Sequence, residues 1–265
     1  MVNHVITSLL DTDMYKLTMH AAVFTNFPDV EVMYKYTNRS SQMTFNEEAV
    51  KWLKEQFHSI GCLKFTKEEV DYLREAIPFL PDDYLKHISS EDFKLSPGEQ
   101  IDFTTEEAEE AGKFHLKISV SGLWKDTILY EIPVLALVSE AYFKFVETDW
   151  TYDGQVEKAF KKTVELFEND VFFSEFGTRR RRSFNTQDLV MKGIMRAVEQ
   201  FSEKGKKMFL GTSNVLFAKK YGVKPIGTVA HEWMMGIASI TDDYVNANKN
   251  AMEYWIKTFG PEHAG

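Results

Sequence analysis

The stretch Met208–His231, MFLGTSNVLFAKKYGVKPIGTVAH, decides the fold class. It opens with a short apolar run, Met208–Leu210, which predicts a strand that ends in small and polar residues. The segment Asn214–Tyr221 has helical spacing and stops at a glycine, and a second apolar run, Val223–His231, follows at once. Strand, helix and strand in succession predict that the two strands pair in parallel.

The surrounding sequence continues this alternation. Apolar positions recur every three or four residues in Asp153–Asn169 and in Asn185–Lys204, which predicts two helices with the apolar run VFFSEFGTR between them. A longer helix is expected near the end of the chain. Four residues would share one side of it: Tyr244, Ala247, Ala251 and Trp255. This order fits either an open doubly wound sheet or a piece of a (β/α)₈ barrel.

The first half of the chain has a mixed pattern typical of an α+β domain. Strands are expected at Val30–Thr37, Phe93–Phe103 and Phe114–Gly122, and helices at Asn46–His58 and Thr66–Ala76. Asn46 is placed to cap the first helix, and Thr66 with Glu69 forms a capping box for the second. The apolar segment Leu129–Phe145 is expected to begin as a strand and continue as a buried helix. We therefore place a domain boundary between residues 145 and 146.

Composition limits the class of function. The chain has 265 residues, with 31 basic and 40 acidic side chains and a net charge of −9, which argues against a protein that mainly grips nucleic acid. Its one cysteine, Cys62, excludes an intrachain disulfide and a cysteine-based metal cluster. No apolar run approaches a membrane span, and no signal peptide is evident. We expect a protein of the cytoplasm, with the nucleus as a second location, and no membrane partner.

Four consecutive arginines, Arg179–Arg182, follow the run VFFSEFGTR and precede a predicted helix. Guanidinium groups and the free backbone N–H groups of a helix start both bind phosphate or carboxylate, and Phe176 could stack on a flat ring. A solvated basic turn, a nuclear-import signal or a nucleic-acid patch is the alternative for four arginines taken alone.

Two further strand ends carry polar residues. Gly211–Asn214 is small and polar, and the simplest interpretation is that Ser213 caps the next helix. His231 ends the apolar run that includes Gly227 and Thr228, where it could act as base, nucleophile or metal ligand, or could be structural. The chain contains neither a Gly-x-Gly-x-x-Gly motif nor a Walker-type P-loop.

Taken together, four motifs in the same order resemble the nicotinate phosphoribosyltransferase family. They are Asp11–Thr18 (DTDMYKLT), Phe176–Arg179 (FGTR), Gly211–Asn214 (GTSN) and Gly227–Glu232 (GTVAHE). The resemblance is closest to the fungal and bacterial enzymes. It implies formation of nicotinate mononucleotide and pyrophosphate from nicotinate and phosphoribosyl pyrophosphate, in NAD salvage.

The resemblance also implies roles around the pyridine ring. Tyr15 matches a tyrosine that stacks on the ring from a partner subunit, and Phe176 matches the opposite stacking face. Arg179 matches a catalytic arginine that approaches the ring substituent or the phosphate, and Thr228 matches a residue at the nicotinate site. Ser213 stands where the nicotinamide enzyme has an aspartate, so it favours the acid over the amide.

For the phosphate groups, His231 matches the histidine that is transiently phosphorylated by ATP. Arg39 matches a basic residue near the phosphates across the dimer. The resemblance therefore implies ATP and Mg²⁺ as cofactors and a homodimer with shared active sites. No nucleic-acid partner is expected.

The fold that the resemblance implies is an N-terminal α+β domain, residues 1–145, followed by an irregular parallel α/β barrel of the type II phosphoribosyltransferase kind. Family chains continue well past this one. Residues 146–265 are expected to form an incomplete barrel, the N-terminal portion of a longer chain, and the activity of 265 residues alone stays open. The alternatives are a non-catalytic fragment that binds ligand or dimerises, and another phosphate-handling barrel enzyme without ATP coupling.

Overall fold

The computed structural model describes residues 4–40 and 42–263. The helices in these ranges are α1 (Met14–Asn26), α2 (Glu47–Ile60), α3 (Lys67–Ala76), α4 (Asp82–Ser89), α5 (Pro97–Gln100), α6 (Trp124–Thr127), α7 (Glu131–Phe145), α8 (Gln155–Glu168), α9 (Phe184–Met208), α10 (Val215–Tyr221), α11 (His231–Thr241) and α12 (Ala247–Phe259). The strands are β1 (Glu31–Lys35), β2 (Phe45–Asn46), β3 (Ile101–Glu107), β4 (Lys113–Leu123), β5 (Phe173–Glu175) and β6 (Phe209–Thr212). None of these helices is both long and apolar enough to cross a membrane.

An antiparallel sheet forms the centre of the first half. The long strand β4 pairs with β3 along one edge, while β1 and β2 lie end to end along its other edge. The two helix caps predicted beside this sheet are confirmed. Asn46 accepts a hydrogen bond from the backbone N–H of Ala49, and Thr66 and Glu69 form both bonds of a capping box.

The parallel pairing predicted for the second half is also confirmed. Strands β5 and β6 pair in parallel, with Glu175 opposite Thr212. The strand predicted at Val223–His231 is wrong, because only an isolated parallel bridge joins Thr212 to Pro225. The N–H of Thr212 donates to the carbonyl of Lys224 and the N–H of Ile226 donates to the carbonyl of Thr212, and beyond this bridge the chain has no regular structure until His231 begins α11.

Three other boundaries differ from the sequence prediction. Most of Phe93–Phe103 is not a strand, because Pro97 begins a short helical turn and β3 starts only at Ile101. Leu129–Phe145 does not begin as a strand, and Pro133 lies in the first turn of α7, where its missing N–H breaks no helical bond. The long terminal helix is two helices, since Asp242 is left-handed at φ 49° and places Tyr244 in a turn.

Buried apolar side chains form two hydrophobic clusters. The larger one combines the first half with residues of α10, α11 and α12, including Trp233, Trp255 and Phe259. The smaller one joins α8, α9, α10 and β6. Helices α11 and α12 therefore pack on the core of the first half, and the domain boundary after residue 145 stays a prediction.

One buried ion pair joins distant parts of the sequence. The guanidinium of Arg181 donates to both carboxylate oxygens of Asp11, at 2.7 and 2.6 Å, and both side chains are at most 1% exposed. Asn214 donates to the same carboxylate at 2.8 Å. The segment before α1, the turn after β5 and the end of β6 are thus held at one point.

We expect Arg181→Met to lower the free energy of unfolding by about 3–5 kcal/mol, because it leaves the Asp11 carboxylate buried without a cation. The double variant Asp11→Leu with Arg181→Met should be less destabilised than Arg181→Met alone. Urea denaturation measures both, and Arg180→Met, at an exposed neighbouring position, is the matched control. A loss below about 1 kcal/mol in Arg181→Met would contradict this account of the pair.

Candidate active site

The site forms where the start of α1 meets the end of β6. The backbone N–H of Met14 donates to the carbonyl of Ser213 at 2.7 Å, and the N–H of Val215 donates to the carbonyl of Thr12 at 3.0 Å. Two motifs that are about 200 residues apart in the chain, Asp11–Thr18 and Gly211–Asn214, are therefore hydrogen-bonded neighbours.

The motif that contains His231 reaches the same place. A Cβ atom at Gly227 would lie 2.9 Å from the backbone nitrogen of Tyr15 and 3.2 Å from the Cβ of Met14. Only glycine allows the chain to pass this close to α1. The glycine of the fourth motif thus sets the distance between Tyr15 and the segment that leads into α11.

Ser213 is fully buried and faces the acidic residue before α1. Its hydroxyl donates to Asp13 at 2.6 Å. The interpretation that Ser213 caps the next helix is wrong, because Asn214 is the N-cap of α10 and accepts from the N–H of Phe217. The position that the resemblance assigns to substrate selection is therefore free of a capping role.

Arg179 is a partly exposed cation at this site. Its Nε lies 3.8 Å from Asp13 and its Nη1 lies 3.3 Å from Glu131, both longer than a strong charged hydrogen bond. The guanidinium carbon lies 5.9 Å from the centroid of the Tyr15 ring, and the side chain is 45% exposed. A half-exposed cation with two loose partners can accept a further anion, such as the carboxylate of a small aromatic acid.

The other three arginines of the run lie in different environments. Arg181 is buried on Asp11, and the guanidinium of Arg182 lies 5.0 Å from the ring centroid of Phe143 and 5.5 Å from that of Trp150. Arg180 is exposed. The four arginines therefore do not form one anion site, and only Arg179 faces Tyr15.

Tyr15 is buried, with 6% of its surface exposed, and already lies beside Arg179 within a single chain. Burial raises the pKa of its phenol well above the usual range, with Glu131 and Asp13 adding to the effect. The ring therefore stays neutral. Its supply from a partner subunit remains a prediction.

Phe176 is 52% exposed in the turn after β5, so its ring is accessible. Thr228 is exposed and lines a cavity of about 290 Å³ together with Met14 and Thr18. His231 is exposed as the first residue of α11, where free backbone N–H groups favour a negatively charged group such as a phosphoryl.

Arg39 is exposed in the loop between β1 and β2. Its assigned role needs a second chain and stays a prediction.

Several charged residues of the site were missed by sequence reasoning. The buried ammonium of Lys16 contacts carboxylate oxygens of both Glu131 and Glu232. Glu175 accepts hydrogen bonds from Gln187, Thr212 and the backbone N–H of Gly177. The only available signal was adjacency, since Lys16 follows Tyr15 and Glu232 follows His231.

Two carboxyl groups of the site are perturbed by burial. Burial raises the pKa of Asp13 against the lowering effects of its Ser213 hydrogen bond and of Arg179. Burial likewise raises the pKa of Glu175, although Thr212, Gln187 and Gly177 all donate to it. In the described part of the chain no group of three or more histidine, cysteine, aspartate or glutamate side chains could hold a metal ion.

We expect Glu175 to make the protein less stable as the pH rises. Its folded pKa is raised above the unfolded value near 4.5, so the folded state binds the proton more tightly and this contribution fades as pH climbs through the folded pKa. The unfolding free energy of the wild type minus that of Glu175→Gln should therefore fall as the pH rises from about 4 to about 7. A difference that rises with pH would contradict this, and Glu110→Gln, in an exposed turn, is the control.

Comparison with known proteins identifies the family of the chain. The nicotinate phosphoribosyltransferase N-terminal domain model matches residues 10–139, and the nicotinate phosphoribosyltransferase family model matches residues 171–265. A nicotinate phosphoribosyltransferase of Saccharomyces cerevisiae is 66% identical over 264 residues, which cover 98% of this chain and 61% of that protein.

Solved structures give the same result. A crystal structure from Saccharomyces cerevisiae superposes with a TM-score of 0.98 at 66% identity and covers 99% of this chain and 64% of that one. Nicotinate phosphoribosyltransferase from Porphyromonas gingivalis superposes with a TM-score of 0.82 at 31% identity, covering 96% of this chain and 61% of that one. The chain thus spans about three fifths of these relatives' length, and it belongs to the nicotinate phosphoribosyltransferase family.

Proposed function

We propose that this chain supplies the nicotinate-binding part of a phosphoribosyltransferase that makes nicotinate mononucleotide in NAD salvage. The observation that carries the proposal is the half-exposed Arg179 guanidinium beside the buried Tyr15 ring. A cation next to an aromatic face matches a planar ring that bears a carboxylate.

In the proposed reaction the ring nitrogen of nicotinate attacks C1 of phosphoribosyl pyrophosphate. The C1–N bond forms, the C1–O bond to pyrophosphate breaks, and its electron pair leaves with pyrophosphate. Tyr15 and Phe176 orient the ring, and Arg179 holds its carboxylate. The resemblance supports a role for Ser213 in favouring the acid, because an aspartate at this position would add a second carboxylate beside Asp13. Thr228 lines a cavity next to Met14 and is proposed to contact nicotinate.

ATP is proposed to act through His231. The γ-phosphoryl group of ATP would be transferred to an imidazole nitrogen of His231 with release of ADP. Water would later hydrolyse the phosphohistidine and release phosphate. The exposure of His231 at the N-terminus of α11 supports this, since that end of a helix stabilises added negative charge.

Mg²⁺ is proposed to bind together with the phosphate groups of the substrates. Magnesium in such enzymes is usually bound through substrate phosphates and one or two carboxylates. Since the residues that the structure describes offer no three-ligand cluster, no resident metal site is assigned to them.

The proposed assembly is a homodimer in which Arg39 of one subunit approaches the phosphates of the other. The exposure of Arg39 on a loop supports a role across an interface. The proposed location is the cytoplasm, with the nucleus as a second compartment, and the single exposed Cys62 fits a reducing environment. Nucleic acid and membrane are not proposed as partners.

The function is tested by assaying nicotinate mononucleotide formation from nicotinate, phosphoribosyl pyrophosphate, Mg²⁺ and ATP labelled at its γ-phosphoryl group. The wild type should take up label, and His231→Ala should take up none and lose the stimulation by ATP. Unchanged labelling in His231→Ala would contradict the proposed role. Nicotinate binding without any turnover would favour the alternative of a chain that binds ligand without catalysis.

We expect Arg179→Met to weaken nicotinate binding by about tenfold to hundredfold, because it removes a charge-assisted hydrogen bond to the ring carboxylate. Arg180→Met, its exposed neighbour, should bind nicotinate as the wild type does. Calorimetric titration with nicotinate, and with nicotinamide for comparison, measures both variants. Equal losses in the two variants would show that the effect is one of general surface charge.

A further inference from the structure

Lys16 occupies an unusual position between two carboxylates. Its side chain is fully buried, and its ammonium contacts Oε2 of Glu131 on α7 and Oε2 of Glu232 on α11. The Tyr15 and Tyr34 ring centroids lie 5.9 and 5.7 Å from the same nitrogen. A buried ammonium of this kind fixes its partners, because removing it leaves Glu232 without a cation and Glu131 with Arg179 alone.

Glu232 is held on its other oxygen as well. Its Oε1 accepts hydrogen bonds from the hydroxyl of Tyr34 and from Nε1 of Trp124, the latter at 2.9 Å. A Cβ atom at Gly236 would lie 2.7 Å from the Trp124 ring, so the next turn of α11 also packs closely on it. The carboxylate next to His231 therefore gives α11 a polar attachment to the first half, beside the apolar contacts of Trp233.

The ion pairs continue from Lys16 to the arginine of the site. Glu131 contacts Lys16 through Oε2 and Arg179 through Oε1, and Arg179 in turn faces Asp13. Charges alternate along the series Glu232, Lys16, Glu131, Arg179 and Asp13. The series begins with Glu232, the residue after His231, and ends with Asp13, which accepts a hydrogen bond from Ser213.

We propose that Lys16 is a positioning residue that couples Arg179 to the helix beginning at His231. An anion that draws Arg179 away from Glu131 leaves that carboxylate to Lys16, and the hold of Lys16 on Glu232 weakens. Occupation of the ring site would thus reach the histidine through two shared carboxylates. The meaning of this coupling for catalysis rests on the proposed function, whereas the coupling itself is a property of the free chain.

The test is hydrogen exchange of the backbone amides in α11, measured without ligand by mass spectrometry or NMR. Lys16→Met should raise exchange in α11 by at least about tenfold, and amides of α8 and α9 should change by less than about threefold. Lys219→Met, which removes a lysine paired with Glu68 on another face, is the matched control and should leave α11 unchanged.

A double-mutant cycle separates coupling from simple structural support. Arg179→Gln should raise exchange in α11 by about threefold in the wild-type background and leave it unchanged in the K16M background. If Lys16→Met does not fold, Glu232→Gln replaces it in the cycle, since it keeps a neutral acceptor for Tyr34 and Trp124.

Two outcomes would overturn the proposal. Unchanged α11 exchange in Lys16→Met would show that Lys16 does not hold the helix. An equal effect of Arg179→Gln in both backgrounds would show that Lys16 holds the helix without coupling it to the arginine. Failure to bind nicotinate would contradict the proposed function. The double-mutant cycle would still test the coupling, because it is measured without ligand.

Discussion

The bidentate pair between Asp11 and Arg181 is the constraint on which the rest of the site depends. It lies in a buried position and also takes the amide of Asn214, so the segment before α1, the turn after β5 and the end of β6 cannot move independently. Arg179 lies two residues before this anchor, and Tyr15 lies four residues after Asp11. The Asp11–Arg181 pair therefore brings Arg179 beside Tyr15, although neither of these two residues takes part in that pair.

The sequence predicted local features well where the cause is local. The caps at Asn46 and Thr66 and each of the four motifs depend on residues a few positions apart. The parallel pairing of β5 and β6 follows from the strand, helix and strand order of the segment that joins them. The sequence prediction failed where an apolar run does not become a ladder. Apolar spacing suggested a strand at Val223–His231, but only an isolated bridge between Thr212 and Pro225 forms there, and His231 starts a helix.

The charged network around Lys16 could not be predicted for a different reason. Ion pairs between α1, α7 and α11 join residues more than 100 positions apart, and no spacing in the sequence records such contacts. Burial determines how strongly these ion pairs hold the helices together. In water the same pairs would contribute little, whereas a fully buried ammonium between two carboxylates must keep both in place. The same reasoning explains why four adjacent arginines have four different environments.

The central claim is that nicotinate binds beside Tyr15 with its carboxylate on Arg179. A crystal structure of the chain soaked with nicotinate tests it most directly. The account predicts the ring carboxylate within hydrogen-bond distance of the Arg179 guanidinium, with Asp11 and Arg181 still paired beneath it. Nicotinate bound elsewhere, or bound without contact to Arg179, would contradict the account.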